Sequence, residues 1–233
     1  FCPPLLALHW LAFRFWPHFM GRLTCPCGVP TLVAYSPKVF RATFCRERLF
    51  CPPSEEARER LAAAFGIDAT TIHVLRNPVN AERYQRGGIG HNHDSPQALL
   101  ISRLDDDKYR SCVSAFDLFR VLKTEPSHWR FAVAGSGNRE ADLRSYARQL
   151  NLNDIEWLGH RGDVDILLRS ADVAVGMGRV VLEALCARCV TILAGVDGLV
   201  GVVEPTAFGH LQRGNFAGRS MPSADSAAVA RIV

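Results

Sequence analysis

Two cations follow a strand-like segment near the middle of the chain. The apolar run at residues 98–102 predicts a strand, Arg103 comes directly after it, and Lys108 follows five positions later. Arginine offers a planar fork of donors and lysine a compact point charge, and charge-assisted bonds to phosphate are strong. We therefore expect Arg103 and Lys108 to neutralise a diphosphate without a metal ion. A solvated strand exit is the simpler explanation of the same two residues.

A carboxylate lies inside a helix that a glycine-rich turn opens. Residues 172–175 predict a short buried strand, Gly176 and Gly178 form the turn, and Glu183 follows in the predicted helix. A helix start presents free N–H groups and a positive dipole end to an anion. The carboxylate can accept hydrogen bonds from two vicinal hydroxyls. This pattern suits a nucleotide sugar, with Gly178 at the helix start and Arg179 as a further phosphate contact; an ordinary ion pair between Arg179 and Glu183 is the alternative.

A second glycine-rich turn follows another predicted strand. Residues 129–134 form an apolar run, Gly135 and Gly137 close it, and a helix is predicted to begin near Glu140. A lone G-x-G is a weak signal. Between a strand and a helix, however, it is typical of the wall of a nucleotide site, so Gly135 and Gly137 are candidate ligand-binding residues.

These motifs, taken in order, resemble the retaining, sugar-nucleotide-dependent glycosyltransferases of family four, which have the two-lobed GT-B architecture. Residues 102–108 read Ser-Arg-Leu-Asp-Asp-Asp-Lys and are similar to the family's G/S-R-L-x-x-x-K segment. Residues 178–184 resemble the end of its E-x7-E motif. Residues 77–80, Asn-Pro-Val-Asn, are similar to the N-x-V-D segment that precedes the interlobe linker. Several weak motifs in the right order predict a common family more strongly than any one of them.

The resemblance implies an α/β fold, namely the Rossmann-like donor-binding lobe of a GT-B enzyme with an incomplete N-terminal lobe. It implies that Arg103 and Lys108 act as catalytic residues on the departing diphosphate and that Glu183 binds the ribose. The substrates would be a nucleoside diphosphate sugar and a glycan or lipid-linked acceptor, with no metal or other cofactor. Bacterial envelope polysaccharide or glycolipid synthesis is the family's commonest setting, and a cytoplasmic location, including the inner face of the membrane, follows by analogy.

Two departures from the family pattern bear on activity. Eight positions before Glu183 the family has a first glutamate that touches the donor sugar, whereas this chain has Val175. Ser36 stands where the family has a histidine. The competing hypothesis is therefore a degenerate donor-lobe protein that binds nucleotide sugar or a partner without catalysis. A sugar-nucleotide epimerase of the same architecture is a third hypothesis, but the pair of acids it needs is not evident.

Length sets the expected domain organisation. Two Rossmann-like lobes need about 300 residues or more, and this chain has 233. We expect residues 1–90 to form the closing part of an N-terminal, acceptor-side lobe with the interlobe linker, and residues 91–233 to form the nucleotide-sugar-binding lobe. The glycine-containing stretch with His91 and His93 is predicted to belong to the linker. The chain is thus expected to be a fragment or a truncated product.

Composition excludes several classes of partner. The chain is 48% hydrophobic and 21% charged, which is typical of a globular protein. A net charge of +4 is too small to indicate a nucleic-acid-binding protein. The apolar stretch at residues 5–20 is interrupted by His9, Arg14, Pro17 and His18, so it is too broken to span a bilayer. Its aromatic and cationic residues leave a peripheral membrane contact open, although a core helix is the preferred interpretation.

Two groups of residues could bind metal instead. Asp105, Asp106 and Asp107 contain a D-x-D pattern, which could chelate a divalent ion on a diphosphate and would then indicate a metal-dependent GT-A enzyme. Among the eight cysteines, Cys186 and Cys189 form one C-x-x-C pair. No second C-x-x-C pair is present to complete a zinc site. We interpret the cysteines as reduced, buried, hydrophobic side chains.

Overall fold

The computed structural model describes residues 51–85, 95–126 and 128–233 of the 233-residue chain. The described residues up to Arg76 belong to one unit and those from Asn77 to a second. The predictions made for Ser36, for residues 5–20 and for His91 and His93 lie outside the described residues, and the boundary proposed at residue 90 stays a prediction.

The described part of the first unit, residues 51–76, contains one α-helix and one short 3-10 helix. Helix α1 (Glu55–Phe65) begins after Ser54, whose hydroxyl accepts a hydrogen bond from the Ala57 amide at 3.2 Å. It ends at Gly66, which adopts a left-handed conformation with φ of 58°. The 3-10 helix spans Ala69–Thr71. This unit therefore shows ordinary helix-capping chemistry at both ends of α1.

The second unit alternates strands and helices. In chain order its regular elements are α2 (Ala81–Tyr84), β1 (Gln97–Ile101), a 3-10 helix (Asp106–Lys108), α3 (Tyr109–Leu122), β2 (Arg130–Ala134), α4 (Glu140–Gln149), β3 (Glu156–Gly159), α5 (Val164–Ser170), β4 (Val173–Gly176), α6 (Arg179–Cys186), β5 (Val190–Gly195), β6 (Gly198–Val202), α7 (Pro205–Arg213) and α8 (Ser226–Ala230).

The six strands form one sheet in the order β3-β2-β1-β4-β5-β6. Strands β1 to β5 are parallel to one another, and β6 runs antiparallel to β5. This arrangement confirms the expected α/β, Rossmann-like lobe. The chain moves outward from β1 through β2 to β3 and then crosses to the other side of β1 to form β4. The strand order therefore reverses between β1 and β4, and ligands of such sheets bind outside the carboxyl ends of the strands at that switch point.

Both faces of the sheet are covered by helices. In β1, Ala98 and Leu100 face a cluster with residues of α3, α4 and α8, whereas Leu99 and Ile101 face a cluster with residues of α2, α5 and α6. Strands that are buried on both sides have continuous apolar sequences. The three apolar runs of the sequence were therefore sufficient to predict β1, β2 and β4 to within about one residue.

Among the described residues, no helix combines the length and the apolar character that crossing a bilayer requires.

Candidate functional site

The loops that leave β1 and β2 are joined to each other. The Leu104 amide donates to the Ser136 carbonyl at 3.0 Å, and the Arg139 amide donates to the Leu104 carbonyl at 2.8 Å. A Cβ atom on Gly135, which has a φ of 151°, would lie 1.7 Å from the Ser102 carbonyl oxygen. A Cβ atom on Gly137 would lie 2.3 Å from the Leu104 carbonyl carbon. Both predicted glycines thus permit the close approach of the two loops, and their contact with a ligand stays a prediction.

Arg103 and Lys108 lie in the loop at the carboxyl end of β1 and share one aspartate. The half-exposed Arg103 side chain contacts Asp105 through Nη1 at 3.1 Å and Asp107 through Nη2 at 2.7 Å. The Nζ atom of Lys108 lies 3.5 Å from the same Asp107 carboxylate, and the lysine side chain is only 11% exposed. Asp107 therefore holds both predicted diphosphate-binding cations within one loop, as an internal counter-ion.

The neighbouring aspartates bond to the loop after β2. Oδ1 of Asp105 accepts from the Asn138 amide at 3.1 Å, and Oδ2 of Asp106 accepts from the Asn138 side chain at 2.8 Å. The Nε atom of Arg139 lies 3.6 Å from Asp106 Oδ1. In the part of the chain that the structure describes, no three His, Cys, Asp or Glu side chains are grouped to hold a metal ion. The D-x-D alternative stays a hypothesis, because it needs only two carboxylates together with a bound diphosphate.

The glycine-rich turn after β4 lies against the end of β1. A Cβ atom on Gly176 would lie 3.1 Å from the Ile101 carbonyl oxygen. Gly178 has a φ of 63° and precedes α6, so a side chain at this position would be strained. Its amide donates to the Phe216 carbonyl at 2.9 Å. An anion at this helix start would therefore be bound by the first amides of α6 itself, because the amide of Gly178 already has an acceptor.

Glu183 is a buried carboxylate on α6. Its side chain is 10% exposed, and the Nε atom of Arg179, one turn earlier, lies 2.8 Å from Oε1. The ion pair offered as the alternative explanation of Glu183 is thus present. The Arg179 side chain is 60% exposed, whereas the carboxylate is buried. A ligand that displaces Arg179 therefore has to supply hydrogen-bond donors, such as hydroxyls, in its place.

Sequence analysis did not identify Tyr84, which belongs to the same apolar cluster as Ala184, the residue after Glu183. Tyr84 ends α2 and is 5% exposed. Burial and a hydrogen bond with Glu183 raise the pKa of Tyr84 to about 12, so the phenol is neutral and able to donate. The signal that could have found it was the Asn-Pro-Val-Asn segment at residues 77–80, which immediately precedes α2.

Helix α2 is held on its other side by charged groups. Nη2 of Arg83 contacts Asp165 of α5 at 2.7 Å and the Gly162 carbonyl at 3.3 Å. Arg169 contacts the second oxygen of Asp165 at 3.4 Å. The hydrogen bond from Arg83 lowers the pKa of Asp165, so this carboxylate remains charged. Arg83 therefore fixes α2 against α5, while Tyr84 contacts α6.

Val175 is part of the hydrophobic core and lies outside the candidate site. It belongs to β4, its side chain is fully buried, and it packs in the cluster formed with α3. Counting eight positions back from Glu183 thus leads to a core position on the sheet. No carboxylate at residue 175 could contact a ligand without disturbing this packing.

A cavity of about 390 Å³ lies between α4 and β3, apart from the predicted site residues. Its lining includes Arg144, Arg148 and Trp157. The Arg144 guanidinium lies 4.3 Å from the centre of the Trp157 ring and also bonds to Glu140 at 2.8 Å. The cationic and aromatic groups of this cavity already contact each other, so it has no evident ligand.

Comparison with known proteins gives a family and a fold. Residues 82–228 match the family model described as glycosyl transferases group 1, which is well over half of the chain. A glycosyltransferase from Rickettsia africae ESF-5 has a similar fold, with a TM-score of 0.55 at 16% identity over 66% of this chain and 46% of that one. The Anabaena protein Alr3699/HepE, solved in complex with UDP and glucose, has a TM-score of 0.52 at 17% identity over 72% of this chain and 50% of that one.

The alignments with these structures thus span half or less of each solved chain. A search of curated proteins found no significant match. The match to residues 82–228 includes Arg103, Lys108 and Glu183, and the strand order is that of a Rossmann-like lobe. The chain belongs to the glycosyl transferases group 1 family.

Proposed function

We propose that this protein transfers a glycosyl group from a nucleoside diphosphate sugar to a glycan or lipid-linked acceptor, with retention of the anomeric configuration. One observation carries the proposal. Arg103 and Lys108 leave the carboxyl end of β1, and Glu183 follows the carboxyl end of β4, which are the two strands at the switch point of the sheet. A crevice at a switch point is where sheets of this type bind nucleotides.

In this proposal the cations act on the leaving group. Arg103 and Lys108 exchange Asp107 for the diphosphate and stabilise the negative charge that develops on it as the glycosidic bond breaks. The first turn of α6, with Arg179, adds donors and a favourable dipole at the same anion. Because the loop supplies two cations, the chemistry requires no metal ion. The departing phosphate itself assists the incoming acceptor on the same face of the sugar, which accounts for retention without a separate general base.

Glu183 binds the donor's ribose in this proposal. Its two carboxylate oxygens can accept up to about four hydrogen bonds, so it can hold two vicinal hydroxyls when Arg179 moves away. The acceptor is selected by residues that the donor lobe does not contain. Envelope polysaccharide or glycolipid synthesis, at the cytoplasmic face of the membrane, is the setting that we propose by analogy with the family.

A second function is favoured by one specific observation. Val175 is buried in the core at the position where the family has the glutamate that touches the donor sugar. This burial suits a donor-lobe protein that binds a nucleotide sugar or a partner without catalysing transfer. Binding and turnover therefore have to be measured separately.

The test is calorimetric titration with UDP, GDP and their sugars in the presence of a chelator. UDP is the first probe because the similar Anabaena structure was solved with UDP and glucose. We expect micromolar binding in the wild type and at least a tenfold loss in an Arg103→Ala/Lys108→Ala variant. The matched control is Lys123→Ala/Arg148→Ala, which removes the same total charge. Lys123 and Arg148 lie at the C-terminal ends of α3 and α4.

The outcomes separate the two functions. Binding that is lost in the first variant and retained in the control supports the donor site, and release of free nucleotide from a nucleotide sugar then distinguishes a transferase from a non-catalytic binder. A folded wild-type protein that binds none of these nucleotides contradicts the transferase and the nucleotide-sugar-binding form of the second function, and leaves only the binding of a partner. An equal loss in both variants shows that net charge, and not the loop after β1, governs binding.

A further inference from the structure

The loop after α7 contains two consecutive non-glycine residues with left-handed backbones. Asn215 has a φ of 51° and Phe216 a φ of 52°. Asparagine tolerates this conformation better than most residues, whereas a bulky residue such as phenylalanine rarely adopts it. Residues in such conformations persist only where the surrounding structure holds them there, and they cluster at functional sites. What this loop contacts therefore bears on the function of the lobe.

The loop is fixed to α7 by its own backbone and to α6 by an aromatic ring. The amides of Asn215 and Phe216 donate to the carbonyls of Gln212 and Leu211, each at 2.9 Å. The Phe216 ring is almost completely buried and packs in the cluster that includes Val181 of α6. The loop is thus a rigid extension of α7 that is packed against α6.

The same loop joins the carboxyl ends of two strands. The Phe216 carbonyl accepts the hydrogen bond from the Gly178 amide, in the turn after β4, at 2.9 Å. A Cβ atom on Gly178 would lie 3.9 Å from the Asn215 carbonyl oxygen. The Ala217 carbonyl accepts from the Val196 amide, directly after β5, also at 2.9 Å. The loop therefore holds the glycine-rich turn, and the position of the first amides of α6 depends on it.

The side chain of Asn215 anchors this loop to a distant segment of the chain. Asn215 is only 7% exposed, and its Oδ1 atom accepts from Nδ2 of Asn77 at 3.0 Å. Asn77 precedes α2 and lies 138 positions earlier in the sequence. Breaking a buried hydrogen bond from one side leaves the other polar group without a partner, which is costly. Asn215 thus links the segment before α2 to the loop that supports the glycine-rich turn.

We propose that Asn215 is a positioning residue that holds the glycine-rich turn, so that the first amides of α6 are oriented toward the donor's diphosphate. It acts through the Phe216 carbonyl and the Gly178 amide and does not itself touch the ligand. This inference rests on the proposed function, because it takes the diphosphate to lie at the start of α6. Preorganisation is the physical reason, since amides already fixed in the bound orientation lose less entropy when the anion arrives.

The experiment compares two ligands in matched variants. The ligands are UDP or GDP, whichever the wild type binds, and the corresponding nucleoside. The readout is the dissociation constant of the nucleoside divided by that of the diphosphate, because this ratio isolates the contribution of the phosphates. Asn215→Gly removes the side-chain amide and still permits the left-handed backbone. Asn151→Gly is the control, because Asn151 is an exposed asparagine after α4 with a φ of 59°.

We expect Asn215→Gly to lower this ratio about fivefold, the scale of one intramolecular hydrogen bond, with binding of the nucleoside unchanged. Asn151→Gly should leave the ratio at its wild-type value. Asn77→Ala removes the same side-chain hydrogen bond from its other partner, so it should lower the ratio by a similar factor. The double variant Asn77→Ala/Asn215→Gly should show no further loss, because both substitutions act through one bond.

The remaining outcomes overturn the proposal at different points. An unchanged ratio in folded Asn215→Gly removes the positioning role and leaves the proposed function intact. An equal loss for both ligands shows that Asn215 supports the fold and has no particular effect on the diphosphate. Additive losses in the double variant show that Asn215 does not act through Asn77. If Asn215→Gly does not fold, Asn77→Ala decides the proposal by the same criteria.

The wild type distinguishes failure of this inference from failure of the proposed function. A folded wild-type protein that binds the nucleoside as tightly as the diphosphate, or binds neither, contradicts the proposed function itself, and the inference fails with it.

Discussion

At the scale of single residues, the charges of the candidate site already have partners. Arg103 and Lys108 contact Asp107, and Glu183 contacts Arg179. Binding of a nucleoside diphosphate therefore exchanges one set of ion pairs for another. The net affinity is the difference between these two sets, and it is smaller than the number of cations suggests. Residues that only compete with the ligand thus become sensitive points for mutation.

The first prediction concerns Asp107. Asp107→Asn weakens the internal counter-ion of both cations, so we expect it to tighten UDP binding about two- to fivefold, as measured by calorimetry. Asp106→Asn is the matched control, because the side chain of Asp106 contacts Asn138 and Arg139. Weaker binding in Asp107→Asn would show that this aspartate orients the cations for the ligand and does not compete with it.

The second prediction concerns alkaline pH. Burial, with hydrogen bonds to Glu183 and to Asp117 respectively, raises the pKa of both Tyr84 and Tyr146 from 10.0 to about 12. A raised pKa in the folded state gives stability that is complete below pH 10 and is lost as the pH rises toward about 12, because the unfolded chain ionises first. Denaturant unfolding should therefore show a shallower loss of stability over this interval in Tyr84→Phe and in Tyr146→Phe than in the wild type. Identical pH profiles in all three proteins would contradict the assigned pKa values.

At the scale of elements, the strands could be predicted from the sequence and the partners of the site could not. The apolar runs predicted β1, β2 and β4 because a strand covered on both faces must be apolar throughout. The packing of Tyr84 in one cluster with residues of α6 joins α2 to α6, which are far apart in sequence, and it depends on how the helices cover one face of the sheet. Local pattern carries no information about such a contact. The same limit applies to the Gly178 amide, whose acceptor lies beyond α7.

Strand β4 supplies a prediction about the missing glutamate. Val175 is fully buried among residues of α3 and the sheet. Val175→Glu should therefore lower the free energy of unfolding by at least about 3 kcal/mol, because it buries a carboxyl group without a partner. It should not create transferase activity. Val190→Glu is the matched control at the exposed first residue of β5, and we expect a change within about 1 kcal/mol.

Chemical denaturation of the two valine variants provides the measurement. A Val175→Glu protein that is as stable as Val190→Glu would mean that residue 175 can turn toward the crevice. In that case the position would be equivalent to the first glutamate of the family motif, and a gain in release of nucleotide from a nucleotide sugar would establish it.

At the scale of the whole molecule, the described residues divide into parts with separate hydrophobic cores. In the described part of the chain, three apolar clusters contain only residues from Val79 onward, and the fourth contains only residues from Leu61 to Ile72. Residues from Asn77 form the unit that includes the whole sheet and every predicted ligand-binding residue. A unit with its own core and complete sheet has the properties of an autonomous domain.

We therefore expect the polypeptide 77–233 to fold alone, with one cooperative thermal transition and a UDP affinity within about twofold of that of the full chain. Calorimetry of both proteins gives the two quantities. The control is the polypeptide 97–233, which keeps the sheet and loses α2 together with Tyr84. Because α2 covers part of one face of the sheet, this shorter protein should be less stable. If 77–233 has no cooperative transition, the donor lobe depends on residues before Asn77, and the site would then be a property of the longer chain.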